Sequence, residues 1–115
     1  MAAALELDPG LGEPYAVRAL HAQAHNLYAD AYRNFREAVA RAPSDPEIHN
    51  WYGGFLLDTG YLQAGWTERQ RAGELDPLSP LIAWHLGYAA LIMGRPDVIE
   101  AYTAKARENG WEGME

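Results

Sequence analysis

Apolar residues recur along this chain at helical spacing. Trp84, Tyr88 and Leu91 fall at i, i+4 and i+7. Leu86, Ala90 and Met93 follow a parallel course, and Ile82, Ala89 and Ile92 fill further positions. A helix that is apolar almost all round is buried on most of its sides. Sustained period-two alternation is absent, and no Asn-Gly turn joins two β-branched runs, so no strand is predicted. Asn109-Gly110 reads as the stop of a last helix.

The pattern repeats. Pro9, Pro43 and Pro77 are spaced by 34 residues, as are Ala4, Ala38, Ala72 and Ala106. Asn26, Gly60 and Gly94 share that interval, and so do Ala19, Gly53 and Gly87. Each class has a physical role. Proline lacks an N–H and fixes φ, so it stops the helix before it. Asn and Gly enter the left-handed backbone region cheaply, as a helix C-terminus requires. A helix-interior glycine costs about 1 kcal/mol against alanine, and close approach of a neighbouring helix offsets that cost. Each period is therefore helix, short turn, helix, proline-bearing turn. Six helices are predicted, at 12–25, 28–42, 46–59, 62–75, 80–93 and 96–109, with short connections making neighbours antiparallel.

These residues resemble the tetratricopeptide repeat family, whose pattern sets an aromatic, Leu-Gly and Tyr in the first helix, then Ala, Phe and Pro. Tyr15, Ala19, Ala31, Phe35, Ala38 and Pro43 fit the first repeat. Tyr52-Gly53, Leu56, Gly60, Ala72 and Pro77 fit the second, which departs with His49 for the aromatic, Gly65 for Ala and Arg69 for Phe. Leu86-Gly87, Gly94 and Ala106 fit the third, which departs with Ala83, Ala90, Ile99, Thr103 and Trp111. The resemblance implies an all-α solenoid of about three helix-turn-helix repeats in one domain over 1–115. Its repeats are expected at 12–45, 46–79 and 80–111, with a tail at 112–115. The opening "ALELDP" matches "AGELDP" at 72–77 in register, so 1–9 is expected to be the end of a preceding, truncated repeat.

Composition narrows the chemistry. The net charge is −7, which disfavours nucleic acid and anionic membrane as partners. No cysteine is present, which excludes disulfides, a thiolate nucleophile and Cys-ligated zinc. No signal-peptide pattern opens the chain, and Leu81 to Gly94 is shorter than the ~20 residues a bilayer requires. A cytoplasmic protein is expected. The motifs of serine hydrolases, P-loops, dinucleotide sites and zincins are missing, so no enzyme and no cofactor is expected. His21 and His25 share a helix face, but metal sites need three or four ligands, so no metal is expected. His49 and Asp58 lie roughly 13 Å apart along one helix, too far to act as an acid–base pair. Arg33, Arg36, Arg41, Arg69 and Arg71 interleave with Glu37, Glu68 and Glu74, as on a solvated helix face.

In the family, the first helix of each pair lines a concave groove. Projection of the register places Leu20, Gln23, Asn50, Leu57, Trp84, Tyr88 and Leu91 there, together with Ala16 and Gly54. A carboxylate clamp of the co-chaperone kind is not expected, because only Asn50 resembles it and the sole lysine is Lys105. Three covers suit the aromatic side of the fifth helix. They are intramolecular packing, self-association as a homodimer, and a peptide or helix from a protein partner. The expected function is a non-catalytic protein–protein interaction scaffold. The alternative is a structural spacer or oligomerisation segment of a larger regulator or enzyme.

Overall fold

The computed structural model describes residues 12–95 and then Glu100, Ala101, Ala104, Arg107 and Glu108. Five helices run in antiparallel pairs: α1 (Glu13–Ala24), α2 (Tyr28–Arg41), α3 (Pro46–Asp58), α4 (Leu62–Leu75) and α5 (Pro80–Ile92). The fold is all-α, and every boundary lies within two residues of its predicted place. The five residues described beyond 95 are helical, but most of the predicted sixth helix, the 1–9 stretch and the 112–115 tail lie outside the described residues.

The repeat is written in backbone hydrogen bonds. After α1, the Leu27 N–H donates to Ala22 O at 2.8 Å and the Asn26 N–H to Gln23 O at 3.0 Å. After α3, Tyr61 donates to Leu56 at 2.8 Å and Gly60 to Leu57 at 3.2 Å; after α5, Arg95 donates to Ala90 at 2.8 Å and Gly94 to Leu91 at 3.1 Å. This is one Schellman motif built three times, one repeat apart, and each needs a left-handed residue. Asn26 (φ 61°), Gly60 (92°) and Gly94 (70°) supply it.

Helix starts repeat as well. Asp45 Oδ1 accepts from the Glu47 and Ile48 N–H groups at 3.0 and 3.3 Å, ahead of Pro46. Ser79 Oγ accepts from the Ile82 N–H at 3.2 Å, ahead of Pro80. In both, a side-chain oxygen satisfies an orphan donor while proline, having none to lose, opens the helix. Ser79→Ala is expected to cost about 1 kcal/mol in urea unfolding, the usual worth of such a cap.

Contacts group the chain into two compact units, Met1–His49 and Asn50–Glu115, with the division inside α3. In the first, Ala16, Ala19, Ala31 and Ala38 are fully buried, and Phe35 and Ile48 are the largest sealed side chains. In the second, Leu57, Trp66, Ala72, Ile82, Leu86, Ala89 and Ala90 form the core, with Met93 packed on it. Gly53 and Gly65 set the spacing of α3 and α4. A Cβ on Gly53 would sit 3.0 Å from Gly65 O, and one on Gly65 would sit 2.9 Å from Gly53 O. That is the close approach expected to offset the cost of glycine in a helix.

Candidate functional site: the α5 strip and its buried arginine

One face of α5 carries an exposed apolar strip. Leu81 (43% exposed), Tyr88 (45%) and Leu91 (58%) are open, and Trp84 between them is half-buried. Positions i, i+3, i+7 and i+10 share one helix face. The Trp84 and Tyr88 rings meet edge to face, their centroids 6.0 Å apart at 62°. Such pairing holds large apolar rings in fixed orientation.

Behind the strip lies a polar cluster. Arg69 of α4 is only 8% exposed, and its Nη1 donates to the His85 carbonyl at 3.2 Å. Its aliphatic stem runs where the Gly53 side chain would be, since a Cβ there would lie 2.6 Å from Arg69 Cγ. Its tip passes Gly54, whose Cβ would lie 2.7 Å from Nη2. Burial pushes the Arg69 pKa down, and the charges of Asp58 and Tyr88 partly restore it. Asn50 of α3, 5% exposed, donates from Nδ2 to His85 Nδ1 at 2.8 Å, a bond that requires the unprotonated nitrogen. Burial, and secondarily the Arg69 charge, hold the His85 pKa down at about 4. Asn50 Oδ1 and Arg69 Nε are sealed without a hydrogen-bond partner among the described residues.

The seven projected groove residues separate into two groups. Tyr88 and Leu91 are open, Trp84 and Gln23 are half-buried, and Leu20 is 37% exposed on α1. Asn50 and Leu57 are buried: Asn50 bonds inward to His85, and Leu57 belongs to the core beside Gly65. Ala16 is likewise sealed, and Gly54 is half-buried. Among the described residues, structure thus adds Leu81, His85 and Arg69 to the site. For Arg69 this is a correction. Read as part of a solvated basic face, it is instead buried, because glycine at 53 and 54 leaves its side chain a channel across α3. Its place in the register, where an aromatic is usual, was the available signal. For His85 the signal was a lone imidazole in an otherwise apolar helix.

The other candidates behave as ordinary surface or turn residues. Arg33 pairs with Asp30, Arg41 with Glu37 and Arg71 with Glu74, each one helical turn apart. His49 is buried, and its Nε2 lies 2.7 Å from Pro43 O, tying the proline turn to α3. His25 Nδ1 donates to His21 O at 2.9 Å, and both rings are exposed. No group of three or more metal-ligating side chains occurs among the described residues.

No protein-family model and no curated protein sequence matches the chain. Solved structures do. The type III secretion translocator chaperone SycD of Yersinia enterocolitica superposes with a TM-score of 0.81 at 18% identity, covering 94% of this chain and 81% of its own. A mutant of MamA gives 0.75 at 17%, covering 88% and 74%. MamA from MSR-1 gives 0.73 at 17%, covering 93% and 60%. The likeness defines a tetratricopeptide-repeat-like fold. At such identities it speaks of fold and leaves function to the site.

Proposed function

We propose that this chain is a protein-interaction scaffold whose second unit binds an apolar peptide or helix along α5. The observation that carries this reading is the exposed strip of Leu81, Trp84, Tyr88 and Leu91 on one helix face. Rigid aromatic side chains give large contact area for little lost rotamer freedom, which suits them as anchors. The i, i+3, i+7 spacing matches how helices and apolar peptides are read in grooves. A neighbour of the same fold is described as a translocator chaperone, a protein that attends other proteins, which accords with this use of the fold.

Selection of displayed random 12-residue peptides on the wild-type chain tests the reading. Enriched peptides are expected to carry spaced apolar anchors and to bind Trp84→Ala and Tyr88→Ala at least tenfold more weakly, about 1.4 kcal/mol. Both variants should keep native circular dichroism. If the variants bind as the wild type does and lose only thermal stability, the strip is not the binding surface.

A further inference from the structure

Arg69 is a buried cation with no carboxylate in salt-bridge contact among the described residues; the charge of Asp58 reaches it only from a longer distance. It makes no ion pair among the described residues, and its single hydrogen bond goes to a backbone carbonyl already inside α5. Leaving a buried charge unpaired is costly, and a guanidinium is normally neutralised by a carboxylate that accepts two of its N–H groups. Two features show where such a group would enter. Nε is sealed, whereas Nη2 has no acceptor and is not among the sealed atoms. Nη2 also lies against the empty side-chain position of Gly54, which is half-exposed. Asp58 and Tyr88, an open strip residue, are both near enough to this guanidinium to oppose its deprotonation. The missing side chain at 54 is thus a window from the strip to the cation.

Resting on the binding reading above, we propose that the strip takes a partner segment that is apolar except for one carboxylate, which docks over Gly54 onto Arg69. The apolar anchors lie on Trp84, Tyr88 and Leu91, and the acid supplies a counter-charge in direct contact, where the fold offers only the more distant Asp58. Charge complementarity fixes the partner's register, as a single polar contact in an apolar interface does. A neutral segment of the same shape would leave the guanidinium unpaired and bind less tightly.

The test uses 4-phenylbutyrate and its neutral amide, which share an apolar body and differ in the carboxylate. Each is titrated into the full chain, with NMR following the Trp84 indole N–H and the Arg69 Nε–H. Both probes are expected to shift Trp84. Only the acid should shift Arg69, and it should bind at least fivefold more tightly. Gly54→Ala puts a methyl group into the window and favours the helix; it should abolish the preference for the acid while Trp84 still responds. Arg69→Met should do the same. Equal affinities with a silent Arg69 overturn the carboxylate proposal and leave the strip intact. A silent Trp84 with both probes overturns both readings. A dimer that Trp84→Ala converts to monomer by light scattering places a second copy on the strip and also overturns the proposal.

Discussion

Gly65→Val is expected to lower the unfolding free energy by about 3 kcal/mol, the upper range for forcing atoms into a packed site. A Cβ at position 65 would lie 2.7 Å from Leu57 Cγ, 2.9 Å from Gly53 O and 3.0 Å from Leu57 N. Two of those three atoms are backbone, so no rotamer change relieves the contact; α3 and α4 must move apart. Separation in turn loosens Leu57 and Trp66, which share the core of the second unit. The milder Gly65→Ala sets two effects against each other. Alanine gains about 1 kcal/mol of helix propensity, while overpacking costs about 1–3 kcal/mol. A net loss of about 1 kcal/mol follows from those two magnitudes. This is informative because alanine is what the repeat pattern prefers at this position. Urea unfolding followed by circular dichroism reads both variants, and a neutral or stabilised Gly65→Ala would mean that the helices are not held at this spacing.

That example shows how far the sequence could be read. The 34-residue interval reached the backbone: Asn26, Gly60 and Gly94 were expected at left-handed helix ends, and each closes the same pair of hydrogen bonds. Gly53 was expected to permit a close helix approach, and it does. The site was less legible, because register gives a side chain's direction and not what stands in front of it. Leu57 and Leu91 hold equivalent places in successive repeats, yet Leu57 is in the core and Leu91 is open. Asn50 was read as a polar contact for a ligand, but His85, one residue past the Trp84 position, turns it inward. Arg69 looked solvated because its neighbours in sequence are charged. Only the paired glycines at 53 and 54, far from it in sequence, reveal that it crosses beneath α3. The departure at Arg69 is accommodated by Gly53, Gly54 and the His85 carbonyl, and compensation between distant positions cannot be seen by matching one position at a time.

The same cluster sets how the fold responds to acid. His85 has an ordinary pKa of 6.5 when unfolded and one of about 4 when folded. The folded state therefore holds fewer protons than the unfolded state between those values, and stability must fall as pH falls through that window. The contribution is fully present above 6.5 and gone below about 4. At about 1.4 kcal/mol per pH unit the interval corresponds to about 3 kcal/mol, and solvent screening of a half-exposed ring reduces it to about 2 kcal/mol. The cause is local. Protonated Nδ1 can no longer accept from Asn50, and the new cation lies near buried Arg69, with Asp58 the opposing charge. His85→Gln keeps a polar side chain without the titration, so its stability should be flatter between pH 6.5 and 4.5, and relative to the wild type it should gain stability towards the acid end. Subtracting the two urea-unfolding series removes the contribution of every other titrating group. If the difference between wild type and His85→Gln does not change with pH, the imidazole is not held neutral by this cluster, and the Asn50–His85 bond does not set the acid limit of the fold.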